Sequence, residues 1–399
     1  MRRQVGKQRS DEQQQLASLL LTAKRSLRLS VSFLSRLDGQ TQHLEVVESS
    51  VPFLFREGAT QRQETTFCQA ILDGQLPAVI PDVKASPVAM SLPAARLPRI
   101  RSFVSVPVTL SDGTLYGTFC AAGLTSDAEL GERDRALMEV LASAAATIIE
   151  PGVLEQQRRL EIETRLDQVR ADGGPRVVLQ PIVELSTGNQ AGAEALSRFP
   201  EWGKPPDVCF AEAHSVGQGH HLELLALSAA AAHLDRLSGY LAVNLSPATL
   251  LTRECGEQLA RLPLDRVLLE LSEHDPIDDY AALTSALEPL RSSGMRLAID
   301  DVGAGFSSLR HIVLTSPDVL KLDRSIVDGV SHDPVLSTLI QSLVTFGHGS
   351  GALVVAEGVE TADDAAAVRA LGVDYGQGWH YGRPVPPEQL AASWVPAAS

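Results

Sequence analysis

Two adjacent carboxylates, Asp300 and Asp301, close a short apolar run, Leu297-Ala298-Ile299, and are followed by Gly303 and Gly305. A buried strand that delivers paired acids into a glycine-containing loop can hold divalent cations for hydrolytic chemistry. Alone, such a pair reads as two solvated acids at a strand end. What changes the reading is that other apolar runs in the same half also end in acids or amides. Val177-Val178-Leu179 ends at Gln180, Ala191-Gly192-Ala193 leads into Glu194, Leu241-Ala242-Val243 ends at Asn244, and Val267-Leu268-Leu269 ends at Glu270. Val319-Leu320 leads to Lys321 and Asp323, Leu353 to Ala356 ends at Glu357 with Glu360 three residues on, and Val373-Asp374-Tyr375 ends at Gln377. Hard cations such as Mg²⁺ or Mn²⁺ prefer oxygen ligands, and this set offers almost nothing else.

The elements that must position these groups follow from the pattern. Most of the eight runs are separated by helical periodicity, as in Leu222 to Leu237, Tyr280 to Arg291, Val335 to Phe346 and Asp363 to Leu371. Strand and helix alternating eight times predicts a (β/α)8 TIM-type barrel, with the polar groups gathered at the carboxyl ends of its strands.

Glu194-Ala195-Leu196 with Arg198, then Asn244, Glu270 with Glu273, Asp300-Asp301, Lys321, Glu357 with Glu360, and Gln377 resemble the EAL family of cyclic di-GMP phosphodiesterases over roughly residues 171–395. The resemblance implies two metal ions per site, Mg²⁺ or Mn²⁺. Glu194, Asn244, Glu270 and Asp300 would hold one, and Asp300 would bridge to a second held by Asp301 and Glu357. It further implies Glu357 as general base, Glu360 as orienter of a water, and Lys321 near the attacking water or scissile phosphate. Arg198 would clamp a phosphate, its guanidinium being always charged and able to bind two oxygens. Gln180, Asp323 and Gln377 would contact substrate edges or support the site, and Glu273 would brace the loop after Asp300. Lys321 could instead simply pair with barrel carboxylates, and Asp323 could cap a helix. The chain departs from the family pattern at Val302, Phe306 and Trp379, which bear on loop fit rather than on the acids.

At 399 residues the chain exceeds one ordinary domain, and a barrel fills only its second part. A net charge of -15 argues against a general nucleic-acid or membrane-surface binder. The four cysteines show no Cys-x-x-Cys spacing, which fits reduced thiols in a cytoplasmic protein. The basic start lacks an apolar core and is not expected to be a signal peptide, and no run is expected to approach bilayer-spanning length.

Residues 11–149 read as an α+β unit: a helical stripe at Leu16, Leu19, Leu20 and Leu27, strands at Leu29 to Leu37 and His43 to Val47, a helix at Phe67 to Leu72, and a hairpin turning at Asp112-Gly113. Thr65 to Cys68, Val79 to Val83 and Ser102 to Thr118 resemble a GAF sensor domain. Its signal, a small molecule or a redox change, is not named by the sequence; Cys68 and Cys120 read first as buried fillers. Pro151-Gly152 should break the following helix, leaving Val153 to Arg170 as a charged connector or dimerising helix. His220-His221 reads as an exposed pair without zinc spacing, and His380 lies near the barrel mouth. The expected organisation is a sensor at 1–150, a helical linker at 151–170 and a barrel at 171–399, in a homodimer that hydrolyses cyclic di-GMP to linear pGpG under sensor control. The alternative is a non-hydrolysing cyclic di-GMP receptor or scaffold.

Overall fold

The computed structural model describes residues 10–51, 55–96, 100–272, 274–303 and 308–393. The chain divides into two compact units, residues 1–158 and 159–399.

The first unit is built on an antiparallel sheet of β1 (Val31–Leu37), β2 (Thr41–Ser49), β3 (Thr60–Arg62), β4 (Val79–Ile80), β5 (Ser102–Thr109) and β6 (Leu115–Gly123) in the order β3-β2-β1-β6-β5-β4. The strands at both expected positions, the helix Phe67–Leu72 and the hairpin at Asp112-Gly113 are all present. Side chains alternate between two cores, as a strand requires. Leu34, Val46, Val104, Val106, Phe119 and Ala121 face the helix Asp11–Ser26 and the start of the helix Glu132–Ala171. Phe33, Leu44, Phe103, Cys120 and Ala122 face the short helices Phe67–Leu72 and Pro87–Ser91. Ser10 opens the first helix with a capping box to Gln13.

The break expected at Pro151 does not occur: one helix runs from Glu132 to Ala171 with Pro151 inside it. Proline removes a single intrahelical hydrogen bond, and helix on either side is held by burial that outweighs it. Met138, Ala142, Ala145 and Ile149 are buried in the first unit, while Ile162 and Leu166 pack on Phe199, Trp202 and Cys209 of the second. The segment after Pro151 is thus partly buried rather than a wholly solvated connector. By length and composition this helix is apolar enough to cross a bilayer, contrary to expectation; before Pro151, Met138, Leu141, Ala142, Ala145, Ala146 and Ile149 are buried in a protein core, while Val140 is exposed.

The second unit is a closed barrel of β7 (Arg176–Glu184), β8 (Gln190–Arg198), β9 (Tyr240–Asn244), β10 (Val267–Ser272), β11 (Arg296–Val302), β12 (Val319–Leu322), β13 (Leu353–Ala356) and β14 (Tyr375–Gly376). Each of the eight apolar runs contributes to a strand, the last through Tyr375 alone. Strict strand–helix alternation fails once: β7 and β8 form an antiparallel hairpin, and β14 also pairs antiparallel with β7. The link 185–189 is too short for a crossover helix, which a parallel pair would need. The expected helices lie at Gly219–Ala231, Tyr280–Ser292, Pro334–Ser350 and Ala362–Ala370. Alternation again sorts the side chains. Leu241, Val243, Leu269, Leu297 and Leu320 join the core shared with the helices, whereas Ala242, Leu268, Ala298, Val319 and Val355 form a separate cluster with Ile182 and Tyr240.

Candidate metal centre

The polar layer follows from that second cluster by counting two along each strand. Ala242 leads to Asn244, Leu268 to Glu270, Ala298 to Asp300, Val319 to Lys321, Val355 to Glu357 and Tyr375 to Gln377. On β8, Gly192 lies two before Glu194, and a Cβ at Gly192 would lie 2.7 Å from the Tyr240 ring, so only glycine fits beneath that acid. The antiparallel β7 places Gln180 opposite Glu194. One apolar layer thus supports one polar layer, each strand contributing a residue to the latter.

Lys321 is at the centre of this layer and is fully buried. Its Nζ lies 2.6 Å from Glu357 Oε1, 2.9 Å from Glu270 Oε1, 3.2 Å from Asp300 Oδ1 and 3.8 Å from Glu194 Oε2. Asn244 Nδ2 donates to Glu194 Oε1 at 3.0 Å and Glu270 Oε2 at 3.1 Å. Gln377 Nε2 donates to Glu194 Oε2 at 2.6 Å and to Gln180 Oε1 at 3.3 Å. Burial raises the Glu270 carboxyl well above the usual range against the pull of Lys321, with repulsion from Glu194, Asp300 and Glu357 acting in the same direction as burial. Burial likewise raises Asp300 and pushes Glu357 up to about 8. Burial of Lys321 works against its charge, yet the attraction of Asp300, Glu194, Glu270 and Glu357 together holds the ammonium well above its ordinary value.

The adjacent aspartates raise a geometric problem, because consecutive residues of a regular strand point to opposite faces. Here the β11–β12 register slips between Ile299 and Val302, and Asp301 takes a left-handed φ of 60°. Aspartate tolerates that conformation better than most residues. The bulge therefore brings Asp301 into one group with Asp300 and Glu357, while Glu194, Glu270 and Asp300 form another; carboxylate oxygens within each group lie within 4.8 Å of one another. Ser272 Oγ donates to Asp301 Oδ2 at 3.2 Å.

The remaining candidates divide. Arg198 is half-buried, donates to the Ser197 carbonyl, and lines a cavity of about 610 Å³ that reaches Asn244 and Glu270. Asp323 caps the helix Arg324–Val327 by accepting from the Ser325 N–H at 2.9 Å. Glu360 forms an ion pair with Arg324 at 3.0 Å. Glu273 and residues 304–307 of the following loop lie outside the described residues. The His220 and His221 rings are tilted at 37° with centroids 3.9 Å apart, His220 being half-buried and only His221 exposed, and His380 is exposed.

Three residues not anticipated support the layer. Glu223, buried on the helix Gly219–Ala231, accepts from the Ser246 N–H at 2.8 Å and from Ser246 Oγ at 3.0 Å. His214 Nε2 sits 3.0 Å from Glu223 Oε1. Ser246 is two residues past Asn244 and caps the next helix, so this chain of contacts fixes the turn that carries Asn244. The cap signal at Ser246-Pro247 was readable; the partner 23 residues earlier was not.

The donor set fits divalent cations. Glu194, Glu270, Asp300, Asp301 and Glu357 supply five carboxylates against the one ammonium of Lys321, a formal excess of four negative charges that two divalent ions would cancel. Glu270 Oε1 is buried and receives no aligned hydrogen bond from a described residue, so it retains a lone pair for a cation.

The EAL domain family profile matches residues 163–384 and the GAF domain profile residues 10–150. Cyclic di-GMP phosphodiesterase PA2567 of Pseudomonas aeruginosa is 32% identical over 59% of this chain and 43% of its own length. Probable cyclic di-GMP phosphodiesterase PdeB of Escherichia coli is 31% identical over 53% of this chain and 43% of its own. The match thus spans less than half the length of either relative. An EAL domain protein from Listeria monocytogenes has the same fold, with a TM-score of 0.52 at 21% identity over 58% of this chain and 97% of that one. With the profile matching more than half of its residues, on the stretch that forms the acid-lined barrel, the chain belongs to the EAL domain family and carries a GAF domain ahead of it.

Proposed function

We propose that the barrel is a metal-dependent phosphodiesterase that opens cyclic di-GMP to linear pGpG. The observation that carries this reading is the pair of carboxylate groups sharing Asp300 around a buried lysine. Relatives named as cyclic di-GMP phosphodiesterases support the substrate. Phosphodiesters resist attack because their anionic oxygens repel an incoming nucleophile. Two divalent cations, Mg²⁺ or Mn²⁺, supply the remedy when bound: they acidify a water and neutralise phosphate charge. Glu194, Asn244, Glu270 and Asp300 would hold the first ion, and Asp300, Asp301 and Glu357 the second. Glu357 would also take the proton of the attacking water. Lys321 lies close enough to Glu357 to stabilise its carboxylate and the developing negative charge. Arg198 sits where the cavity meets Asn244 and binds a phosphate of the substrate. Gln377 orients Glu194, and Gln180 braces Gln377. Asp323 shapes the turn after Lys321, and Glu360 acts through Arg324.

The GAF unit is a sensor that modulates this activity, and the protein works as a homodimer. Turnover by the pure full-length chain with Mg²⁺ or Mn²⁺ tests the central reading, with Glu194→Ala as control. Hydrolysis in the wild type that is abolished in the variant supports it. Tight binding of cyclic di-GMP without hydrolysis in either metal would identify a receptor instead, and unchanged turnover in Glu194→Ala would remove the metal assignment.

A further inference from the structure

The covered face of the GAF sheet contains a second buried polar cluster, distant in chemistry from the barrel acids. Cys120 on β6 and Cys68 on the helix Phe67–Leu72 are both buried, and their sulfurs lie 3.3 Å apart. Cys120 Sγ also lies 3.2 Å from Ser105 Oγ and 3.2 Å from Thr118 Oγ1. Thr118 Oγ1 is 2.8 Å from Ser35 Oγ, which accepts from Gln42 Nε2 at 2.7 Å. The thiols of Cys209 and Cys255 lack such a nest; burial pushes them up to about 11 and about 12.

We propose that Cys68 and Cys120 form a peroxide-reactive dithiol, a modification site inside the sensor domain that closes to an intramolecular disulfide. The hydrogen bond from Cys120 holds the Cys68 thiol down near 7, whereas burial raises Cys120, so the shared proton rests on Cys120 and Cys68 is the nucleophile. Its thiolate attacks one oxygen of hydrogen peroxide. A sulfur–oxygen bond forms, the oxygen–oxygen bond breaks, and the departing hydroxide takes a proton to leave as water. Cys120, having given up its proton, then attacks the Cys68 sulfenic sulfur, and the hydroxyl leaves as a second water. Two thiols and one peroxide thus give one disulfide and two waters. Closing from contact to a bond of about 2 Å requires only a small approach of a six-residue helix towards β6. Burial selects the oxidant: a molecule of two heavy atoms can enter through local opening, whereas a protein disulfide cannot.

The test treats the intact chain with hydrogen peroxide, alkylates remaining thiols after denaturation, and maps peptides by mass. The expected result is loss of two of the four thiols as one Cys68–Cys120 disulfide, reversed by dithiothreitol, with Cys209 and Cys255 still alkylated. Under the same dose, Cys68→Ser should leave Cys120 alkylatable, and Cys120→Ser should trap Cys68 as a sulfenic acid detectable by dimedone. Four alkylated thiols in treated wild type, or any other pairing, would overturn the proposal. Peptide mapping reads the thiols directly, so either outcome stands apart from the success or failure of the phosphodiesterase reading.

Discussion

The barrel and the GAF sheet each bury a polar cluster on a floor of apolar side chains, and they solve the cost of doing so in opposite ways. In the sheet, Ser35, Gln42, Ser105, Thr118, Cys68 and Cys120 satisfy one another without any carboxylate or ammonium, and the one group that ionises near neutrality is the Cys68 thiol. In the barrel, Glu194, Glu270, Asp300, Asp301 and Glu357 outnumber Lys321, and without cations burial favours the protonated forms of Glu270, Asp300 and Glu357. A neutral cluster can be complete in the protein alone. A charged one with a surplus of one sign is complete only with something from solution, whether protons or cations.

The largest expected effect breaks the barrel side of this comparison. Lys321→Met leaves buried acids with no internal counter-charge, and in EDTA at pH 8 it should cost about 3–5 kcal/mol of unfolding free energy, with activity lost. A urea titration checks it; a loss under 1 kcal/mol would show that the acids do not depend on the lysine.

Next comes pH. Glu357 goes from an ordinary 4.5 unfolded to about 8 folded, so between those values the folded state binds more protons than the unfolded one. Stability in EDTA should therefore fall as pH rises from about 5 to 8 and level off above. The raised Glu270 and Asp300 act in the same direction. Saturating Mn²⁺ should flatten or reverse the slope, because bound cations take the place of the protons. A rising curve in EDTA would contradict the assignment.

A smaller effect is expected from Glu223→Gln, which keeps the shape but weakens the grip on Ser246 and the Asn244 turn. Metal affinity should drop about tenfold with the global fold intact. Calorimetric titration with Mn²⁺ measures it, and unchanged affinity would make Glu223 a packing residue only. The smallest belongs to the sheet. Thr118→Val removes one hydrogen-bonded link and should cost about 1 kcal/mol at pH 6, independent of metal. A metal-dependent change there would erase the contrast between the two clusters.

Much of the barrel was legible because strand periodicity and polar strand ends coincide, and a ring of such ends leaves few architectures. The direction of β7 was not, since an apolar run reads alike either way; only the five-residue link, with Thr187-Gly188-Asn189 in it, carried that information. Pro151 misled because proline signals a break only where nothing else holds the helix. Glu223 and the Cys68–Cys120 pair were invisible for a shared reason. Partners 23 and 52 residues apart are joined by folding, and no spacing rule connects them. The case of Asp323 was left open, and its side chain proves to cap a helix.

The slip in β11 has a consequence for how many ligands a barrel can offer. A strand is a wave of period two, so each strand presents one inward side chain per layer, and a ring of strands delivers a fixed quota at any given height. The turn at Asp301 is a phase error in that wave: for one residue the signal arrives in step with its neighbour instead of opposed to it. The shift adds an acid at the level where the quota was already filled, and the second carboxylate group exists because of it. It also makes the position sensitive to chain length before composition. Charge could be conserved by glutamate at 301, but a longer side chain on a left-handed backbone would be out of place, while a single residue inserted between Ile299 and Asp300 would turn Asp300 to the other face and break both groups, which share it.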